Sequence, residues 1–133
     1  MTDSLTAKGL KKRDFKIGSI YFNDKYVITH FNEGIDINYH NFEEVGNFIK
    51  LHFDGRDFGY IANRENSYSI NLEDAKVFNQ AFPNLQAYAI VLHNSFTEKI
   101  FEIENHFFHQ NRQSFKSFED AIIWVEKILN DPK

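Results

Sequence analysis

Polar side chains that could bind a ligand follow two of the predicted strands. One group lies after a strand that ends near Ala62, and the other follows an apolar strand that ends at Leu92. Ligands of open α/β sheets bind outside the carboxyl ends of strands, and the second group precedes a helix, whose unpaired N–H groups favour anions. The alternative is that these are ordinary turn and capping residues. The predicted ligand-binding residues are Asn63, Arg64, Ser67, Ser69, His93, Asn94 and Ser95.

Two histidines have a spacing that could bind a metal ion. His106 and His109 are three residues apart on a predicted helix, and Glu102 lies one turn earlier. No second cluster completes a site, and histidines near a helix C-terminus also suit the helix dipole. The sequence has no Cys, which excludes thiolate metal sites, disulfides and a Cys nucleophile. We therefore predict no metal site and no cofactor.

Acidic pairs are the remaining groups that could perform acid–base chemistry. Each pair (residues 43–44, 73–74 and 119–120) falls in the first turn of a predicted helix, where the macrodipole favours negative charge. The nucleophile elbow G-x-S-x-G and the glycine-rich nucleotide loops are absent. We therefore predict no catalytic residues and a protein that is not an enzyme.

Composition and charge narrow the class of protein further. The chain has 133 residues, a net charge of −4, 15 Phe and 6 Tyr, which suits one globular domain and disfavours a nucleic-acid binder. Five cations near the N-terminus either meet an anionic partner or membrane surface, or belong to a solubilising tail (Lys8, Lys11, Lys12, Arg13 and Lys16). We predict a flexible tail over residues 1–13 and a domain over residues 14–131. No signal peptide or membrane span is evident, so a cytoplasmic location is expected.

The hydrophobic periodicity predicts the elements that must position these residues. An alternating run over residues 15–22 and a β-rich run over residues 26–31 form an antiparallel hairpin, followed by a helix over residues 42–53 capped by Asn41. After the strand at residues 58–62, Asn71 opens a helix that Pro83 ends. Ser95 and Ser117 begin two more helices, on either side of a short strand near residues 113–116. The order is β-β-α-β-α-β-α-β-α, an α/β domain with a mixed sheet and helical crossovers.

Aromatic residues outside the predicted core stripes form a second group of candidates. The third helix has an apolar stripe, Phe96, Ile100, Ile103 and Phe107, which we assign to the core. Phe101 and Phe108 lie off that stripe, and Trp124 lies at the edge of the stripe on the last helix. We predict that these three residues form a partner or dimer surface, or line an apolar ligand cavity. A wide core covered by loops is the alternative.

Three stretches resemble a known family: residues 28–34 (ITHFNEG), residues 87–92 (AYAIVL) and residues 115–125 (FKSFEDAIIWV). With the element order, they resemble the STAS domain, and more narrowly its SpoIIAA-like, or STAS/SEC14-type, branch. Phosphoswitch antagonists of this family carry a D-x-S motif after the third strand. Asn63 stands where the Asp would, and Ser67 and Ser69 lack the expected spacing, so no phosphosite is carried over.

The resemblance implies a non-catalytic, STAS-like interaction or regulatory module. We expect it to bind a protein partner or to self-associate as a homodimer. The alternative, suggested by the SEC14 comparison and by the surplus of aromatic residues, is a protein that binds a small apolar or amphipathic ligand such as a lipid.

Overall fold

A six-stranded mixed sheet organises the chain, with strand order β1-β2-β3-β5-β7-β8. This computed structural model describes residues 9–66, 68–108 and 111–131. The strands and helices in chain order are β1 (Lys11–Phe15), β2 (Gly18–Phe22), β3 (Tyr26–Phe31), β4 (Asp36–Ile37), α1 (Tyr39–Phe53), β5 (Phe58–Asn63), β6 (Ser69–Ile70), a 3₁₀ helix (Leu72–Asp74), α2 (Ala75–Ala81), β7 (Leu85–Val91), α3 (Ser95–Glu104), β8 (Arg112–Phe115) and α4 (Phe118–Asn130).

The sheet combines an antiparallel half with a parallel half. β1, β2 and β3 pair antiparallel, which confirms the predicted hairpin, and β3, β5, β7 and β8 are parallel, as expected for helical crossovers. The parallel strands bring the carboxyl ends of β5 and β7 to one edge. A two-stranded parallel sheet, in which Ile37 pairs with Ile70, was not predicted because its strands have two residues each.

The N-terminal boundary differs from the prediction. β1 begins at Lys11, so residues 11–13 belong to an edge strand rather than to a tail, and residues 1–8 lie outside the described part. The alternating run over residues 15–22 is not one strand, because the chain turns between β1 and β2. Gly18 makes this turn possible: its φ is 149°, and a Cβ there would overlap the backbone of His30.

Two hydrophobic cores lie on opposite faces of the sheet. On one face, α1 buries Val45, Ile49 and Phe53 against Val27 of β3 and Phe58 of β5. On the other face, α4 packs closely against the small side chains of β7. This second core includes Ile61, Ala87, Ala89, Val91, Ala121 and Val125. Gly59 permits the close approach of α4, because a Cβ at this position would overlap Cγ1 of Val125.

Polar side chains cap the helices, and in two helices the N-cap residue precedes the one that the sequence predicts. Asn38, rather than Asn41, is the N-cap of α1, and Asn41 completes the capping box from inside the helix. Asn94 caps α3 by accepting from the backbone N–H of Thr97, so the predicted cap, Ser95, is the first helical residue. Ser117 caps α4 as predicted.

Candidate functional site

An apolar cavity of about 50 Å³ lies between the sheet and the two helices α1 and α2. Its described lining is made of aromatic rings and aliphatic side chains. Ile49 comes from α1, Phe78 and Phe82 come from α2 and the turn after it, and Tyr60 and Tyr88 come from the central strands β5 and β7. Many of the aromatic residues of the chain therefore line one internal cavity.

A buried ionic cluster adjoins this cavity. Nη1 of Arg64, which follows β5, donates to Oε1 of Glu104, the last residue of α3, at 2.6 Å. Nη2 of Arg112, the first residue of β8, lies 3.4 Å from the same carboxylate oxygen. Arg64 also donates to the backbone carbonyl of Tyr68 at 2.8 Å, and Arg112 donates to Oδ1 of Asn105 at 2.9 Å. The exposed fractions of the Arg64, Glu104 and Arg112 side chains are 1%, 3% and 3%.

Aromatic rings connect the cluster to the cavity. The Arg64 guanidinium stacks on the ring of Tyr68, 4.5 Å from its centroid. The Arg112 guanidinium lies 4.8 Å from the ring centroid of Tyr88 and 5.1 Å from that of Phe108. Tyr68, Tyr88 and Phe108 also line the cavity. The aromatic rings of the cavity wall therefore lie between the cavity and the two guanidinium groups, and cation–π contacts with these rings help to stabilise the charges.

The three tyrosines at this end of the cavity are held neutral. Burial raises the pKa of Tyr60, Tyr68 and Tyr88 because a buried phenolate would be poorly solvated. In Tyr88 the charges of Arg112 and Arg64, and a hydrogen bond from Arg112, oppose this rise without cancelling it. Each hydroxyl therefore stays protonated at neutral pH and remains able to donate a hydrogen bond.

The charges in the cluster do not balance. Burial alone would lower the pKa of Arg64, but its neighbours Tyr68 and Glu104 more than offset this, so the pKa is raised and the side chain stays charged. Two guanidinium groups then face one carboxylate. Within the described part of the chain, the buried Nε–H groups of Arg64 and Arg112 have no hydrogen-bond acceptor. Buried donors and charges of this kind are costly unless something pairs with them.

The structure brings together only part of the predicted ligand site. Nε2 of His93 lies 2.9 Å from Oδ1 of the buried Asn63, so the two loops do meet at the edge of the sheet. Arg64, for which the sequence predicts either a place in a polar ligand pocket or a solvated position in a turn, is instead buried in the protein. Ser69 donates to Asp36 in the small sheet, Asn94 caps α3, and Ser95 is exposed. Ser67 lies outside the described residues.

The third helix is rotated relative to the prediction. Ile103 and Phe107, assigned to the core, are 54% and 43% exposed, whereas Thr97, Glu104 and Phe108 are buried. The buried face includes Glu104, which pairs with Arg64 and Arg112 in the interior, so it contains a carboxylate and does not coincide with the apolar stripe. The side chain of Phe96, the first member of the predicted stripe, lies outside the described part.

The three predicted partner residues do not share one surface. Phe108 is buried in the cavity wall, and Phe101 is half-buried, with its ring centroid 5.1 Å from the Arg112 guanidinium. Trp124 lies on the opposite face of the sheet, half-buried, with its ring centroid 5.5 Å from that of Phe115. Of the three alternatives, which were a partner surface, a cavity lining and a wide core, Phe108 fits the second, because it lines the apolar cavity.

Sequence reasoning missed most of the ionic and tyrosine cluster. Glu104 and Arg112 were not singled out, and neither were Tyr60 and Tyr68. One signal was present: Thr97, Phe101, Glu104 and Phe108 follow one another at spacings of four, three and four residues, which is a helical face. A carboxylate in the middle of such a face requires a buried cation as its partner.

The histidine pair gives no metal site in the described part of the chain. His106 is exposed, and His109 lies outside the described residues. Among the residues that are described, no three or more acidic or histidine side chains are placed to hold a metal ion together.

The comparisons with known proteins identify the fold. None of the protein-family models matches the chain, and no curated protein matches its sequence. The chain is similar to the crystal structure of an uncharacterized protein of the DUF3478 family from Shewanella loihica PV-4, described as having a SpoIIAA-like fold. The TM-score is 0.55 and the sequence identity is 11%, over 87% of this chain and 91% of that chain.

The chain therefore has a SpoIIAA-like fold, which confirms the fold that the sequence resemblance predicted. At this level of identity the likeness shows the fold alone. No helix in the described ranges is long and apolar enough to cross a membrane.

Proposed function

We propose that this protein is a non-catalytic binding module that takes a small apolar or amphipathic ligand into the cavity between the sheet, α1 and α2. The observation that carries the proposal is an apolar, mainly aromatic lining with a few polar groups gathered at one end. Pockets of this composition are typical of small-molecule sites, because the apolar wall supplies the affinity and the polar groups fix the orientation.

Ligand access would occur past α2. This helix has seven residues, and Ala75 is its one buried residue. Phe78 and Phe82 line the cavity on their inner side and a surface depression on their outer side, so the wall there is one ring thick. A cavity that admits benzene has a volume of about 150 Å³. A ligand of several heavy atoms therefore requires these two rings to shift outward.

Native mass spectrometry of freshly purified protein, followed by thermal shift with fatty acids, tests this proposal. We expect a co-purifying small molecule or a rise in melting temperature with at least one acid. Ile70→Phe, which fills the cavity, should abolish the shift, whereas the exposed Ile123→Phe should preserve it. If no mass is bound and no fatty acid or lipid stabilises the protein, the proposal is wrong.

Self-association is a second candidate function. The observation that favours it is the exposure of two large apolar side chains near the end of α3: Ile103 in its last turn and Phe107 in the turn that follows. Exposed large apolar side chains that lie close together are typical of contact surfaces. We propose that a homodimer or a protein partner would contact these two side chains, rather than the set of Phe101, Phe108 and Trp124.

A further inference from the structure

The ionic cluster beside the cavity has one positive charge more than its own carboxylate can balance. Arg64 and Arg112 share Oε1 of Glu104, and both guanidinium groups are almost fully buried. The other charged side chains of α3, which are Glu98, Lys99 and Glu102, make no ion pair with either arginine among the described residues. Among the described residues, Glu104 is therefore the one acidic side chain paired with these two guanidinium groups.

We propose that the cavity ligand is a monocarboxylic acid whose carboxylate binds at the tyrosine end of the cavity, with Arg112 as its charge partner. This inference rests on the proposed function, because it specifies the chemical class of the ligand for the same cavity. A single negative charge neutralises the cluster, whereas a phosphate dianion would leave a net negative charge in a poorly hydrated space.

Arg112, rather than Arg64, is the arginine available for a ligand. Arg64 makes the short bond of 2.6 Å to Glu104 and a second bond to the Tyr68 carbonyl. Arg112 lies 3.4 Å from the same oxygen, and its shorter bond, at 2.9 Å, goes to the neutral amide oxygen of Asn105, so its charge is the less closely paired of the two. Like that of Arg64, its Nε–H has no acceptor among the described residues. Its guanidinium lies against Tyr88 and Phe108, both of which line the cavity. A carboxylate in the cavity would therefore approach Arg112 before Arg64.

The tyrosine hydroxyls would make the first contacts with the carboxylate. Tyr60, Tyr68 and Tyr88 line the cavity, and burial keeps their phenols protonated by raising each pKa. A protonated phenol donates to a carboxylate oxygen, and hydrogen bonds to charged groups are stronger than those between neutral groups. The aromatic and aliphatic lining would enclose the apolar body of the acid.

Isothermal titration of the whole chain with hexanoate, methyl hexanoate and hexanol tests the inference. These probes share an apolar chain and differ in the head group. We expect hexanoate to bind at least about tenfold more tightly than the ester and the alcohol. Equal affinities would overturn the carboxylate assignment while leaving the proposed function intact. Absence of binding by all three would overturn the carboxylate assignment, and the native mass spectrometry and the fatty acid series described above would then decide the proposed function separately.

Variants of Arg112 test its assignment as the charge partner. Arg112→Gln should reduce the preference for hexanoate to within about threefold while hexanol still binds. Arg112→Lys should retain part of the preference, because it keeps the charge but loses the planar contact with the rings of Tyr88 and Phe108. Arg13→Gln is the matched control, since Arg13 lies in the exposed edge strand. A full preference in folded Arg112→Gln would overturn the role of Arg112. If that variant does not fold, the comparison of the three probes in the unmodified protein still decides the carboxylate claim.

Discussion

Arg64 and Glu104 are 40 residues apart in the sequence, and their side chains meet in the interior at 2.6 Å. Arg64 follows the central strand β5, and Glu104 ends α3, so their contact ties a helix to the carboxyl edge of the sheet. The pair lies on the buried face of α3. An isolated charge could not be accommodated at either position, because the cost of desolvating it would not be offset.

Glu104→Gln should therefore destabilise the protein strongly. The substitution preserves the shape of the side chain but leaves two buried guanidinium groups without an anion, and breaking a buried pair typically costs about 3–5 kcal/mol. Urea unfolding measures the loss in the free energy of unfolding. Glu102→Gln is the control, because Glu102 is exposed on the same helix and should change that free energy by less than about 0.5 kcal/mol. A loss below about 1 kcal/mol for Glu104→Gln would contradict the claim that Glu104 balances the buried charges of Arg64 and Arg112.

Stability should fall as the pH rises above about 10. The pKa values of Tyr60, Tyr68 and Tyr88 are raised in the folded state, so above the ordinary tyrosine value the unfolded chain loses protons that the folded chain keeps. Each phenol then lowers the free energy of unfolding by up to about 1.4 kcal/mol per pH unit. Urea unfolding at several alkaline pH values should show a shallower slope for Tyr60→Phe. The control Leu51→Ala, at an exposed side chain that does not titrate, should leave the slope unchanged.

Gly59→Ala should disrupt the contact between α4 and the sheet. The new methyl group would overlap Cγ1 of Val125, and overpacking of a core typically costs about 1–3 kcal/mol. The double variant with Val125→Ala removes the overlapping atom, so it should be more stable than the sum of the two single effects predicts. If the change in the free energy of unfolding of the double variant equals the sum of the changes in the two single variants, the two positions do not compete for the same space.

Self-association should depend on the outer face of α3. Light scattering after gel filtration at about 100 μM protein, far above a micromolar dissociation constant, should show a dimer. Ile103→Lys should give a monomer because it places a charge on that face, whereas Ile123→Lys on the exposed side of α4 should not. A strict monomer for the unmodified protein at this concentration would exclude the proposed homodimer.

The sequence predicted the elements better than it predicted the site. The hairpin, the parallel sheet and the small face of β7 at Ala87 and Ala89 follow from local patterns, because period and side-chain size are properties of short segments. The rotation of α3 could not be predicted in this way. The buried face of α3 contains Glu104, whose pairing with Arg64 exists only after the sheet and the helix have come together.

The predicted ligand residues also differ in whether a local sequence pattern or a distant partner decides their positions. The meeting of Asn63 and His93 follows from the rule that parallel strands bring their carboxyl ends to one edge. Whether Arg64 lies in solvent or in the core is decided by a partner on another element, and no local pattern reports it. The tyrosine end of the cavity likewise requires three separate segments, which contribute Tyr60, Tyr68 and Tyr88.

The most direct test of ligand binding in the cavity is a titration with hexanoate followed by NMR of the isoleucine methyl groups. Ile37, Ile49 and Ile70 line the cavity, and Ile103 and Ile123 are exposed elsewhere. Binding in the cavity predicts saturable shifts of the first three sets of signals, with the last two unchanged. Shifts confined to Ile103 and Ile123, or no shifts at all, would contradict a ligand site between the sheet and its helices.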